Sequence, residues 1–197
     1  MKYFFLLFFA INLFAQENYS LRVAYGKVTD SDLGQILIGN IKSHPYDLRV
    51  LALDGGYLLA TQAYNKPIDI YVKSGLSHFY EADGRDDIYE LTLYIKAYWS
   101  FFNKKVRLGL GEGVSYTSAI LYTEYLEATK ENDNNSNFLN YLDISIDTDL
   151  GRLLDSKTFY GTSVGFAIKH RSGIYGLINN VSNGGSNYNT IYIETQF

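Results

Sequence analysis

Ile88-Tyr89-Glu90-Leu91-Thr92-Leu93-Tyr94-Ile95-Lys96-Ala97-Tyr98-Trp99-Ser100-Phe101-Phe102 is the clearest alternating run in the chain. Tyr89, Leu91, Leu93, Ile95, Ala97, Trp99 and Phe101 share one parity, and Glu90, Thr92, Lys96 and Ser100 share the other. Successive side chains of a strand point to opposite faces, so this run makes one apolar face and one charged face. A second run repeats the pattern, with Leu142, Ile144, Ile146 and Leu150 opposing Asp143, Ser145, Asp147 and Asp149. Together with Asp69 and Lys73, the charged positions Glu90, Lys96, Asp143 and Asp147 are expected to pair on a shared inner face. A half-buried soluble sheet fits these two strands equally well, and the connections between strands decide.

Alternation after residue 18 predicts eight strands, at about 19–28, 47–60, 67–80, 88–102, 104–117, 137–150, 158–172 and 187–197. The connections are long after strands one, five and seven and short after two, four and six, with the acidic segment 81–87 of middle length. Short turns on one side and longer loops on the other are the pattern of an outer-membrane barrel, whose short turns face the periplasm. Pro45 and Pro67 both fall outside strand interiors, as a hydrogen-bonded ladder requires. The chain ends on Ile191, Ile193 and Phe197 at one parity, which resembles the aromatic C-terminal signature of bacterial outer-membrane barrels. The expected fold is therefore all-β, an eight-stranded antiparallel transmembrane β-barrel of the bacterial outer membrane. A barrel of that size is filled by side chains and leaves no open channel, so function is expected at the rim, in the loops or on the lipid-facing wall.

Composition agrees with export. Met1-Lys2 is followed by an apolar stretch ending near Ala15, too short to span a bilayer, which predicts a signal peptide over 1–15 and a mature barrel domain over 16–197. The formal charge of −4 becomes about −5 once the leader lysine is removed, and no basic stripe exists to meet phosphates, so nucleic-acid binding is not expected. The chain has no cysteine, which excludes disulfides, thiol chemistry and a lipid-modified N-terminus. Nineteen Tyr and 12 Phe suit a wall that crosses a headgroup zone. No spacing of His or acids gives metal-ligand geometry, and His44 and His78 read as isolated surface histidines. No cofactor is expected, and oligomeric state is not legible.

His170 and Ser172 lie two apart on the parity that carries Val164, Phe166 and Ile168 in strand seven. An imidazole and a hydroxyl thus share the apolar face, close enough along a strand for the base-and-nucleophile contact that ester attack requires. An even strand count places this end of strand seven at the outer leaflet, where a polar group on the lipid face costs about 0–1 kcal/mol, against about 2–4 for Arg or Lys at the midplane. As a bare motif, His-x-Ser is short, and an incidental rim pair is its plainer reading.

The stretch His170-Arg171-Ser172-Gly173, followed by Gly176, Asn179-Asn180, Gly184-Gly185-Ser186-Asn187-Tyr188 and the final strand to Phe197, resembles the outer-membrane lipid A 3-O-deacylase family (PagL-type acyloxyacyl hydrolases). Gly109-Leu110-Gly111-Glu112-Gly113-Val114-Ser115-Tyr116 supports the resemblance, which extends to the whole mature chain in architecture and to about the last thirty residues in motif. It implies a fold of eight strands, lipid A of lipopolysaccharide in the outer leaflet as partner and substrate, and removal of its 3-linked acyl chain with His170 as base and Ser172 as nucleophile. The family's orienting carboxylate falls near Ser186 or Asn187, neither of which is acidic here. Parity counted from Phe197 turns Asn187 outward beside strand seven, and an amide can orient a catalytic imidazole, so Asn187 is the preferred third member and Ser186 the alternative. The oxyanion of ester attack needs donors, for which the backbone amides of Gly173 and Gly176 and the side chain of Asn180 are candidates, each also readable as a turn residue.

Glu112 breaks the pattern, because parity with Val106, Leu108 and Leu110 turns it outward near mid-membrane. A bulge permitted by Gly109, Gly111 and Gly113 that swings it inward is the favoured account, a protonated or functional carboxyl the other. These glycines are no nucleotide loop, since no helix follows them. The acids Asp83, Asp86, Asp87, Glu124, Glu127, Glu131 and Asp133 read as solvated loop residues, with a shared role in holding divalent ions against lipopolysaccharide as the other option, and Glu131–Asn137 reads as a mobile polar loop. Arg85, Lys130 and Arg171 are candidate phosphate contacts. Two rivals to the esterase remain: a non-enzymatic small barrel for adhesion or envelope integrity, and a soluble lipocalin-like barrel with an apolar interior.

Overall fold

The computed structural model describes residues 18–82, 84–182 and 185–197, so the leader expected over 1–15 lies outside the described residues. Strands β1 (Tyr19–Val28), β2 (Arg49–Ala60), β3 (Ile68–Tyr80), β4 (Ile88–Phe101), β5 (Val106–Thr117), β6 (Phe138–Asp149), β7 (Thr162–Ser172) and β8 (Gly185–Gln196) close into one barrel in sequence order. Every neighbouring pair is antiparallel, and β1 completes the circle against β8, with Tyr19 N–H donating to Phe197 O at 2.8 Å and Phe197 N–H to Tyr19 O at 2.9 Å. Three short helices decorate the connections: α1 (Leu33–Leu37), α2 (Tyr122–Glu131) and α3 (Leu150–Leu154). No helix among the described residues is long and apolar enough to cross a membrane. Strand seven starts at Thr162, later than expected, because α3 and a turn of 3-10 helix at Lys157–Phe159 occupy the connection.

The interior is charged and sealed. Arg22 reaches Asp54 Oδ2 at 3.0 Å and Asp143 Oδ2 at 2.6 Å, and Lys96 pairs with the other oxygen of Asp143. Lys73 meets Glu194 at 2.5 Å, and Arg107 grips both oxygens of Asp147 at 2.8 and 3.0 Å. Tyrosines fill the remaining acceptor positions, Tyr94 donating to Asp54 at 3.0 Å and Tyr98 to Glu194 at 2.7 Å. Buried ions are tolerable only when paired and hydrogen-bonded, and this network supplies both. Glycine makes the space: a Cβ on Gly75 would stand 2.4 Å from Asp54 Oδ1, and one on Gly109 2.4 Å from Ser145 Oγ. Of the expected inner-face ions Asp69 alone stays out of the lumen network, its Oδ1 accepting from Gln62 N–H at 3.4 Å in the turn.

The exterior is apolar, with Leu91, Leu93, Ile95, Leu108, Leu110 and Ile191 among its exposed side chains. Apolar outside and ionic inside is the inverse of the lipocalin arrangement and the arrangement of a barrel in lipid. Near the rim opposite the termini the lumen is capped by an apolar cluster of Val28, Leu48, Val50, Phe79, Ile88, Leu121 and Tyr188.

The network and an exposed pair are expected to separate cleanly in stability. Asp143→Ala leaves Lys96 without its carboxylate and Arg22 with Asp54 alone, and should lower unfolding free energy by about 3–5 kcal/mol, whereas Asp47→Ala, at the solvent-exposed pairs with Lys27 and Arg49, should leave the unfolding midpoint nearly unchanged. Urea titration of detergent-refolded protein reads both, and equal midpoints would refute the assignment.

Candidate active site

Strand β7 alternates strictly at its upper end. Lys169 and Arg171 turn inward, where Lys169 Nζ meets Glu90 Oε2 at 3.3 Å and Arg171 Nε meets Glu124 Oε1 at 2.7 Å. His170 and Ser172 therefore face outward together, both half-buried on the wall. Antiparallel pairing sets Asn187 of β8 directly beside His170, and Asn187 Oδ1 lies 2.8 Å from His170 Nδ1. The other end of the amide is fixed too, since Asn187 Nδ2 donates to Ser31 O at 3.1 Å.

That second bond decides the chemistry of the first. An amide oxygen only accepts, so with its NH2 committed to the Ser31 carbonyl, Asn187 presents an acceptor to His170. Nδ1 must then carry the proton, which leaves Nε2 as the free basic nitrogen of the neutral ring. Ser31 is itself pinned: its Oγ donates to Asn40 O at 2.8 Å and accepts from Lys42 N–H at 2.9 Å. The β1–β2 connection thus holds the amide from outside the barrel.

Among the described residues no hydrogen bond joins Ser172 Oγ to His170. Their backbones stand about 6.6–6.8 Å apart along one strand. Catalytic contacts of this kind are commonly long until substrate is bound.

The other sequence candidates separate. Ser186 points into the lumen and donates to Glu124 Oε1 at 2.8 Å, so the alternative orienter is on the wrong face of β8 to touch His170. The Gly176 N–H is spent on Val181 O at 2.8 Å, which removes it as a free oxyanion donor. Gly173 packs against the same segment, where a Cβ would fall 2.0 Å from Val181 O, and its carbonyl accepts from Ile178 N–H at 2.9 Å. Asn180 is exposed in the loop at φ 55°, with its carbonyl accepting from Asn134 Nδ2 at 3.1 Å. Asn140 of β6 escaped the sequence reading. It pairs with Ser172 across the β6–β7 ladder, lies buried at 8 % exposure on the outward parity, and its amide has no partner among the described residues. The signal was present as a polar break in the outward series Phe138, Leu142, Ile144.

Two further expectations are corrected. Arg171 is no phosphate contact: Glu124, Glu90 and Thr117 Oγ1 hold it inside. Glu124 and its helix are not solvated loop, because Leu121 buries fully, a run of good helix formers follows, and Asn132 at φ 52° ends α2 in a left-handed cap. The segment read as mobile is laced to the β7–β8 connection, through Asp133 Oδ2 to Ser182 N–H at 2.8 Å and through Asn179 Nδ2 to Ser136 Oγ at 2.8 Å. His78 sits 2.9 Å from Asp87, and no group of metal-ligating side chains occurs among the described residues. Asp83 lies outside the described residues.

No protein-family model and no curated protein matches the chain. Solved structures do. The crystal structure of the outer membrane enzyme PagL aligns with a TM-score of 0.60 at 15% identity, over 90% of this chain and 99% of that one. Ail of Yersinia pestis aligns with a TM-score of 0.49 at 9% identity over 92% and 100% of the two chains, and OprG of Pseudomonas aeruginosa with 0.40 at 14% over 91% and 96%. The chain has the fold of an eight-stranded outer-membrane barrel.

Beside the site, α2 docks on the start of β8 through Glu124 and Glu127. Burial raises the Glu127 carboxyl to about 7, with the facing Asp32 and Glu124 carboxylates adding to the rise and the Gly185 N–H and Lys130 opposing it. A carboxyl that binds its proton more tightly in the folded state stabilises the fold less as pH climbs from its unfolded value near 4.5 through about 7. Limited proteolysis of the β5–β6 connection should therefore speed up between about pH 5 and about pH 8 in the native chain and stay flat in Glu127→Gln. Identical profiles would show that Glu127 does not govern this docking.

Proposed function

We propose that the chain is an outer-membrane esterase that removes an ester-linked acyl chain, at the 3-O position, from lipid A of lipopolysaccharide in the outer leaflet. The observation that carries the reading is the His170–Asn187 contact of 2.8 Å on the apolar wall, with Ser172 on the same face two residues further on. A hydrogen-bonded imidazole with its basic nitrogen free, beside a hydroxyl and open to hydrocarbon, suits an ester whose acyl chain already lies in the membrane. In this reading the rim opposite the termini faces outside the cell, an assignment that the even strand count supports, and the substrate reaches the site laterally.

In the proposed reaction Ser172 Oγ bonds to the acyl carbonyl carbon as its proton passes to His170 Nε2. The tetrahedral oxyanion collapses, the bond to the sugar oxygen breaks, and that oxygen takes the proton from the imidazolium. Water activated by Nε2 then releases the fatty acid and restores the serine. Asn187 is the positioning residue, holding the ring in the productive tautomer. Asn140, with an uncommitted NH2 beside Ser172, is the proposed side-chain donor to the oxyanion, joined by Asn180 and the backbone of Gly173 from the loop. The fold likeness to PagL, an outer membrane enzyme, is consistent with this reading.

Fatty-acid release from lipid A by detergent-refolded protein, followed by mass spectrometry, tests the proposal. Ser172→Ala and His170→Ala should fall to background while keeping the heat-resistant folded band on gels. Asn140→Leu should lose about 10²–10³-fold in kcat, the worth of one oxyanion donor. No release by the native chain would leave the non-enzymatic barrel as the better reading, and release undiminished in Ser172→Ala would overturn Ser172 as the nucleophile.

A further inference from the structure

Glu112 keeps its outward parity. The ladder runs without irregularity through Ile95↔Glu112↔Leu142, so the expected bulge does not form and the carboxylate stands exposed on the apolar wall. Its neighbours on that face are Leu110, Val114, Ile95 and Leu142, and it has no hydrogen-bond or ion-pair partner among the described residues. An ionisable group facing hydrocarbon with nothing to pair it carries a cost that structure alone does not offset.

Its place in the ladder gives the cost a purpose. Leu142 pairs with His170, and His170 with Asn187, so Glu112, His170 and Asn187 lie along one row of the wall. Two strand spacings, about 10 Å, separate Glu112 from His170. Between them, one step along β6, stands Asn140, the diagonal neighbour of Glu112 and the direct partner of Ser172. Glu112, Asn140, Ser172, His170 and Asn187 form a polar track over four adjacent strands, flanked by Leu110, Val114, Leu142 and Ile168 on the same face.

We propose that Glu112 is a specificity-determining residue that accepts a hydrogen bond from a hydroxyl or amide N–H of an acylated amino sugar whose ester is seated at Ser172. The inference rests on the esterase reading for the location of the ester, and adds the class of lipid admitted. A carboxylate oxygen pairs with donors and repels acceptors. An acylated amino sugar carries hydroxyl and amide N–H groups beside its esters, whereas a glycerophospholipid with a donor-free headgroup, such as phosphatidylcholine, presents only carbonyl oxygens and an anionic phosphodiester there. Glu112 thus favours the first and rejects the second.

Native mass spectrometry of detergent-solubilised protein tests this with an N,O-acylated glucosamine lipid in competition with a phosphatidylcholine of equal chain length. Ser172→Ala, which cannot turn the lipid over, should retain the amino-sugar lipid preferentially. Adding Glu112→Ala should cut that preference about tenfold, the equivalent of one charge-assisted hydrogen bond, and Glu112→Gln should keep part of it through its amide oxygen. The same preference with and without Glu112, or none in Ser172→Ala, overturns the inference even if the native chain hydrolyses esters. Preference that depends on Glu112 in a native chain that releases no fatty acid upholds it and sinks the esterase reading instead.

Discussion

The closed lumen with its paired ions governs the rest of the molecule. Once Arg22, Lys73, Lys96 and Arg107 have found Asp54, Asp143, Asp147 and Glu194 inside the barrel, no strand can slip by one residue without driving charge into lipid and hydrocarbon groups into the ion network. Strand β7 obeys the same rule at its upper end. Lys169 and Arg171 have their carboxylates inside, so His170 and Ser172 are left on the wall. The outward site is a consequence of the inward salt bridges.

Holding the imidazole is divided between two faces of the barrel. On the outside, the β1–β2 connection fixes the Ser31 carbonyl, that carbonyl fixes the Asn187 amide, and the amide fixes the ring tautomer. On the inside, Glu124 ties α2 to Arg171 and to Ser186, bracing the two strands that carry His170 and Asn187. An amide in the orienting position adds no further charge at a lipid boundary. It also stabilises the imidazolium less than a carboxylate would, so in the proposed reaction the oxyanion donors carry more of the transition state.

The strands were legible because a barrel in lipid writes its pattern twice, once in apolar parity and once in charged parity. All eight appear within a few residues of their expected limits, and the faces of β4 and β6 match except at Leu150, which opens helix α3 instead of ending strand six. The shared face of His170 and Ser172 followed from parity as well. The interior partners were less so. Arg22 with Asp143 and Lys73 with Glu194 join ions from strands far apart in the chain, and closure of β1 on β8 brings them together. Helix α2 was missed because its buried face consists of Ala128 and an acid, Glu124, whose partner Arg171 lies 47 residues away.

Period-two alternation, connector lengths and a chain without cysteine determined a barrel with apolar walls and an ionic core, since each is a local consequence of strand geometry in lipid. Parity already turned Asn187 outward, but tertiary structure alone decided that it meets His170 at 2.8 Å while Ser186 bonds Glu124, that Asn140 stands beside Ser172, and that Glu112 remains outside. Those outcomes depend on register between strands, and register is fixed by pairing across the closed barrel, which no single stretch of chain contains.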